Sequence, residues 1–158
     1  MQDHTNVAYW NSRVRENLND RRRMLFIDPR FDEYERRVKR FLSAIYEPGL
    51  KVLDVACGFG RLCGCFKPED YQGIDFSEEM TRLAEAEHPG YKFRCFDFKA
   101  GFFGKYDIIF EVNSLKALGT ISAVMQPEDF IERAFPLLDR RGMVAALECG
   151  SWYVKQYY

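Results

Sequence analysis

The residues with the clearest chemical potential lie in one string, Val52 to Arg61, reading VLDVACGFGR, where an apolar run ends at an acid and turns through two glycines. Glycine adopts positive φ readily and carries no Cβ, so Gly58 and Gly60 predict a tight turn whose backbone a ligand can approach. A dinucleotide loop fits poorly, because the spacing Gly58-x-Gly60-x-x-Cys63 lacks the third glycine that packs helix on strand. Asp54 would also aim a carboxylate at the pyrophosphate, and no Gly-Lys-Ser/Thr follows to hold a nucleoside triphosphate. A tight turn without a ligand remains the alternative. Two more acids close apolar runs, Asp75 in YQGIDFSEEM (71–80) and Asp97 in Phe96-Asp97-Phe98. Each can accept hydrogen bonds from a ligand, and each can equally cap the element that follows. Cys57, Cys63 and Cys65 cluster in sequence, but no CxxC pair or nearby His completes a tetrahedral set, so no metal is expected.

Alternating elements must position these residues. Asp28-Pro29 is a helix start, and Phe31, Tyr34, Val38, Phe41, Leu42 and Ile45 form one apolar stripe that Pro48-Gly49 ends. Strands are expected at Lys51 to Ala56, Tyr71 to Asp75, Tyr91 to Asp97, Tyr106 to Val112 and Met143 to Glu148. Between them lie a short helix stopped by Pro68, a helix capped by Ser77 with Glu78 and Glu79 in its first turn, and a helix opened by Pro127. That last helix carries Phe130, Ile131, Ala134 and Leu138 on its apolar side, with Pro136 kinking its end. His88-Pro89-Gly90 closes the Ser77 helix, which puts His88 on the surface, away from the chemistry. Such alternation implies an open, doubly wound, mostly parallel α/β sheet with helices on both faces and ligands beyond the carboxyl ends of its strands. Residues 1–27 give only a weak helical pattern around Val14 to Leu25 and are expected to be an arm or lid.

In these motifs the chain resembles the class I S-adenosylmethionine (SAM)-dependent methyltransferases, whose first motif reads acid-x-Gly-x-Gly-x-Gly. Here it stands as Asp54-Val55-Ala56-Cys57-Gly58-Phe59-Gly60, with Ala56 in place of the first glycine. The resemblance implies strand order 3-2-1-4-5 and SAM as cofactor, with S-adenosylhomocysteine (SAH) as its product. Asp54, Ala56, Cys57, Gly58 and Gly60 would surround the methionine end, whose ammonium welcomes an acid. Asp75 would accept both ribose hydroxyls, which one carboxylate can do at once. Phe76 would face the adenine ring, Met80 would be a further cofactor-binding residue, and Asp97 and Phe98 would meet the adenine edge. The fourth motif, YDIIFEVNSLKAL (106–118), would bring Glu111 and Asn113 near the methyl group. The fifth is LLDRRGMVAALE (137–148), with Arg140-Arg141-Gly142 in place of the usual Pro-Gly-Gly turn. Tyr9 and Trp10 on the arm are expected to fold over the cofactor. Methyl transfer from a sulfonium is an in-line displacement that needs position and, for some acceptors, a base. The base candidates are Glu111, Asn113, Tyr9 and His4.

The acceptor is not written in these motifs. No Asn/Asp-Pro-Pro-aromatic string or Pro-Cys nucleophile follows strand four, which leaves a small molecule as the expected acceptor by elimination. The 158 residues carry 23 Lys and Arg against 24 Asp and Glu, a net charge of −1, with 47% apolar and 16% aromatic residues. Residues 1–40 hold ten basic against seven acidic residues, and Arg21 to Arg23 form the one basic cluster, read as a solvated face. Nucleic acid is therefore not the expected partner, although an RNA methyltransferase using that cluster is the alternative. Five cysteines, no leader and no apolar run of membrane length point to a single cytoplasmic domain, with a core at 28–148. Members of this superfamily usually continue beyond strand five into an antiparallel strand pair, for which ten residues remain. Gly150-Ser151 suits a tight turn, so Trp152 to Tyr158 is predicted to fold back antiparallel on Met143 to Glu148. The competing expectations are a homo-oligomer or partner subunit docked at the strand-five edge, and a SAM-binding module without catalysis.

Overall fold

The computed structural model describes residues 7–24, 30–101, 104–114, 125–148 and 151–157. Six strands form one sheet in the order β3-β2-β1-β4-β5-β6: β1 (Val52–Val55), β2 (Tyr71–Asp75), β3 (Lys92–Cys95), β4 (Tyr106–Val112), β5 (Leu138–Glu148) and β6 (Ser151–Gln156). β1 to β5 pair in parallel in the expected 3-2-1-4-5 order, while β6 adds antiparallel to β5. Its register runs from Glu148↔Ser151 to Met143↔Gln156, the fold-back that the aromatic C-terminal residues predict. Ser151 thus belongs to the strand rather than to the turn, and residues 149–150 and 158 lie outside the described residues. With β6 paired along it, β5 presents no free edge for a partner subunit.

The two faces of the sheet differ. On one, Leu53, Val55, Ile109, Val144 and Ala146 pack against Phe130 and Ala134 of α5 (Pro127–Ala134). On the other, Val52, Ile108, Phe110 and Leu147 pack against Val38 and Leu42 of α3 (Arg30–Ile45), the stripe seen in the sequence. Tyr34 on the same helix donates to the Leu147 carbonyl at the end of β5. α4 (Glu78–Glu87) starts at Ser77, whose hydroxyl accepts from Met80 N at 3.2 Å. It buries Met80 and Ala84, at 2% and 0% exposure, and lies beside α1, β2 and β3.

Several expectations shift. The segment after the glycine loop is a single 3-10 turn, Cys63–Cys65, because Gly64 and Pro68 leave too few residues for a helix to nucleate. The arm forms two helices, α1 (Val7–Glu16) and α2 (Arg21–Met24), instead of one stretch from Val14 to Leu25. Strand β3 is shorter than Tyr91 to Asp97, and β1 begins at Val52. Strand β5 starts at Leu138 rather than Met143. Leu138 therefore leaves the helix for the sheet, and Arg141 sits inside the strand at φ +66, beside a register shift between Tyr106 and Ile108. A bulge of this kind replaces the expected turn. His88 is half-buried between Tyr91 and Phe93 instead of lying on the surface, and its Nε2 is enclosed without a partner. Asp28 and Pro29 lie outside the described residues.

Candidate functional site

The loop after β1 makes consecutive tight turns: Cys57 N–H reaches Ile74 O on β2 at 3.0 Å, and Gly60 N–H closes on Cys57 O at 3.0 Å. Three residues of the loop take positive φ, Ala56 at 58°, Gly58 at 56° and Gly60 at 81°. The two glycines serve different ends. A Cβ on Gly58 would meet nothing within 4 Å, so this backbone lies open to a ligand. A Cβ on Gly60 would stand 2.7 Å from Phe93 Cζ and 2.9 Å from His88 Cδ2, so Gly60 admits the packing behind the loop. Ala56 adopts a conformation that costs an L-residue about 1–2 kcal/mol, the physical consequence of replacing the motif's first glycine.

Asp75, the last residue of β2, is 6% exposed, and its carboxylate is fixed on both sides. Gly58 N–H donates to Oδ2 at 3.0 Å and Ser77 N–H to Oδ1 at 2.9 Å. Burial pushes its pKa up to about 6, against the lowering by the two backbone donors. Each oxygen keeps a lone pair, so the group is oriented and still able to accept. Asp54 lies deeper, at 2% exposure, with Tyr71 Oη donating to its Oδ2 at 2.7 Å. Burial raises it from 3.8 to about 7, while the Tyr71 hydrogen bond and the Arg61 charge pull the other way. Gly73, opposite Asp54 in the β1–β2 register, makes this enclosure possible. A Cβ there would stand 2.8 Å from Cys57 Sγ, 2.8 Å from Phe93 and 3.0 Å from the Tyr71 hydroxyl. Asp54 therefore sits beneath the loop, tied to the sheet. Tyr71 and Gly73 carry no motif signal of their own beyond lying in β2.

Beyond β3, Asp97 is exposed and caps the 3-10 turn Phe98–Ala100 by accepting from Lys99 N at 2.9 Å. Phe98 is buried against Phe130, with ring centroids 5.5 Å apart. Phe76 is half-buried at the end of β2. Met80 packs with Val14, Met24 and Phe59, and Trp10 lies against that cluster. The arm is thus docked on the loop and on α4. Asn11 Oδ1 accepts from Ser77 Oγ at 2.7 Å, Arg15 pairs with Glu79 at 3.2 Å, and Arg21 pairs with Glu87. Tyr9 and Trp10 are half-buried with rings edge to face at 5.4 Å. His4 lies outside the described residues.

Glu111 is fully buried at the carboxyl end of β4, where Ser114 N and Oγ both donate to Oε2, at 3.0 and 2.7 Å. Its Oε1 is enclosed and receives no hydrogen bond. Burial, then the neighbouring Glu148 carboxyl, raise its pKa above the ordinary carboxylate range. Glu148 ends β5 at 3% exposure and was not singled out by motif, although its place as the last residue of a strand was legible. Asn113 follows at φ +57, with its N–H on Leu147 O at 3.1 Å.

A cleft of about 350 Å³ flanks the loop, lined by Arg22, Asp32, Glu35, Lys39, Phe59 and Arg61 among others. Its charges are matched internally: Arg22 meets Asp32 at 2.9 Å, and Glu35 meets both Lys39 at 2.7 Å and Arg61 at 3.1 Å. Two arginines of the basic cluster, Arg21 and Arg22, are therefore engaged with acids of the same chain. No helix of the described residues is long and apolar enough to cross a membrane.

A five-stranded parallel sheet of order 3-2-1-4-5, an acid-bearing glycine loop after its first strand and a fixed acid after its second define the class I SAM-binding fold. Solved structures agree on that fold. Magnesium protoporphyrin IX methyltransferase from Synechocystis PCC 6803 is similar at TM-score 0.62 and 22% identity, with 92% of this chain and 76% of that one covered. Phosphoethanolamine N-methyltransferase 1 from Haemonchus contortus is similar at TM-score 0.66 and 16% identity, with 91% and 32% covered. The plantazolicin methyltransferase BpumL is similar at TM-score 0.56 and 20% identity, with 90% and 60% covered. The chain thus spans less than two thirds of the length of the last two. No curated protein matches by sequence. The family model for the methyltransferase domain matches residues 53–146, more than half of the chain, and the chain belongs to that family.

Proposed function

We propose that the chain is a SAM-dependent methyltransferase whose acceptor is a small molecule. The observation that carries the cofactor half is the Asp75 carboxylate, clamped by Gly58 N–H and Ser77 N–H beside a loop backbone that Gly58 leaves open. These residues fit the group. Asp75 would accept the ribose hydroxyls, and Asp97 and Phe98 would meet the adenine edge beside Phe76. The loop at Ala56 to Gly60 would carry the methionine end, over which Tyr9 and Trp10 would fold. Asp54 acts from below, holding the loop's base through Tyr71. Bound SAM would supply an electrophilic methyl. The chain's own residues then position an acceptor in line, exclude water and take up a proton. The small-molecule half rests on the absence of the nucleobase-methylating strings after strand four and on the internal pairing of Arg21 and Arg22.

Calorimetry with SAH on the wild type and on Asp75→Ala tests this reading. Hydrogen bonds to a charged group are worth about 1.5–3 kcal/mol, so the variant should bind roughly 10- to 150-fold more weakly. Equal affinity in the two proteins would refute the ribose assignment, and a wild type that does not bind SAH would refute the function.

A further inference from the structure

The cleft beside the glycine loop is matched contact by contact but not charge by charge. Arg22 meets Asp32, and Arg36 meets Glu33 at 2.6 Å, so each of these arginines has an acid to itself. Glu35 serves two cations, Lys39 through Oε1 at 2.7 Å and Arg61 through Oε2 at 3.1 Å. One carboxylate against two cations leaves one positive charge over in the cleft that all three line.

Arg61 is held in a way that leaves donors to spare. Its guanidinium lies over the Phe31 ring, 5.0 Å from the centroid, and donates to Glu35 through Nη1. Nε and Nη2, which point to one side as a fork, make no hydrogen bond with the described residues. A fork of that kind fits both oxygens of one carboxylate. The side chain is only 13% exposed, so salt and water screen its charge less than that of an arginine in open solvent. Asp54, beneath the loop, feels the same charge, which ties the cleft to the base of the loop. Phe59, on the other side of Gly60 from Arg61, gives the cleft an aromatic wall.

We propose that this cleft is the acceptor's subsite and that the acceptor is a small organic acid, its carboxylate on Arg61 and Lys39 and its apolar body on Phe59. This rests on the methyltransferase reading above, in which the loop carries the methionine end of the cofactor. Phe59 and Arg61 flank Gly60 of that loop, so an acid held here lies beside the reacting end. The cofactor's own α-carboxylate is a second source of the same chemistry, and size argues for the acceptor. A carboxylate alone fills the space of about two waters, roughly 30 Å³ each, whereas the cleft holds about 350 Å³, within the range of small-molecule sites.

The test titrates the full chain, saturated with SAH, with two acids and their neutral amides: 3-phenylpropionate with 3-phenylpropanamide, and hexanoate with hexanamide. The wild type should bind each acid at least about tenfold more tightly than its amide, as expected for hydrogen bonds between charged groups. Lys39→Gln removes the surplus charge and leaves Glu35 and Arg61 as a one-to-one pair, while Glu35→Gln adds a second surplus charge. The acid-to-amide preference should therefore fall about fivefold in the first and rise about fivefold in the second. That is the effect of one unit charge at about 4 Å even under the screening of bulk water. General damage to the fold weakens acid and amide alike and leaves the ratio unmoved. Should Glu35→Gln not fold, Lys39→Gln, on the exposed side of α3, decides alone. Acids bound no more tightly than their amides, or a preference that Lys39→Gln leaves intact, would overturn the proposal. So would SAH affinity that itself falls in Lys39→Gln and rises in Glu35→Gln, because the cleft would then hold the cofactor's carboxylate. A wild type that prefers acids and does not bind SAH refutes the cofactor reading instead, so the two failures are distinguishable.

Discussion

Replacing Tyr71 by Phe removes one hydroxyl from the core and leaves the ring in place, stacked on Phe66 with centroids 5.7 Å apart. What is lost is the 2.7 Å hydrogen bond to Asp54. Asp54 titrates at about 7 in the folded protein, against an ordinary 3.8. The native state therefore binds more protons than the unfolded chain between about pH 4 and 7. Stability from this residue is greatest below pH 4 and is lost as pH rises to 7, by about 4 kcal/mol in total and about 2 kcal/mol between pH 5.5 and 8.5. Tyr71 offsets part of that loss, because its hydroxyl donates to the ionised form. At pH 8.5 the variant loses a bond to a charged acceptor, about 1.5–3 kcal/mol, and at pH 5.5 a bond to a neutral carboxyl, about 1 kcal/mol. Urea unfolding of wild type and Tyr71→Phe at both pH values measures the difference. Asp54→Asn, which does not ionise, should flatten the pH slope and make Tyr71→Phe cost the same at both. A destabilisation by Tyr71→Phe in the Asp54 background that is equal at pH 5.5 and 8.5 would refute the assignment of a buried, titrating Asp54.

The glycine loop gives further expectations. Ala56→Gly relieves a left-handed alanine at φ +58 and should raise stability by about 0.5–1 kcal/mol, once the added freedom of the unfolded chain is subtracted. Thermal melts check the sign. Gly60→Ala should cost about 2–4 kcal/mol, because the new Cβ combines a strained φ with overlap on Phe93 and His88. Gly58→Ala meets no atom and should cost only the strained φ, about 1 kcal/mol, yet it should weaken SAH binding more than Gly60→Ala does once both are compared as folded protein.

Much of the fold is legible because strand ends coincide with chemistry. Tyr71 to Asp75 and Tyr106 to Val112 form strands with the bounds that apolar runs closed by a turn or an acid dictate, and Ser77 caps α4 through the Met80 N–H. The β6 fold-back was legible too, since Trp152 packs on Phe41 and Tyr153 joins the opposite face. Strand β5 starts at Leu138, ahead of the Met143 that the pattern predicts, because Asp139 to Arg141 carry no apolar alternation, and a bulge at Arg141 has no signature without glycine at that position. The site is less legible, since its partners meet across the sheet. Tyr71 and Asp54 lie 17 residues apart, Asn11 and Ser77 lie 66 apart, and no spacing rule joins them. Gly73 reads as a weak strand residue until Cys57, Phe93 and Tyr71 are seen converging on its missing side chain.

The carboxyl edge of the parallel sheet is acidic throughout: Asp54, Asp75, Asp97, Glu111 and Glu148 each lie at a strand's end or within two residues of it. Phosphate-bearing ligands would be repelled there, whereas a sulfonium is favoured. Burial is the largest cause of the raised pKa values of Asp54, about 7, and Asp75, about 6, so both become charged as pH passes through the neutral range. SAM and SAH share every hydrogen-bonding group and differ by the methyl and its positive charge. The ratio of their affinities therefore isolates the field at the sulfur from the contacts to ribose and adenine. At an effective dielectric of about 20, carboxylate charges gained between pH 5.5 and 8.5 at about 10 Å from the sulfur should together favour the cation by about 3 kcal/mol, roughly 150-fold. Calorimetry of both ligands across that range should show SAM gaining on SAH as pH rises. A ratio that stays level or falls would mean that the acids of this edge do not act on the transferred methyl's charge.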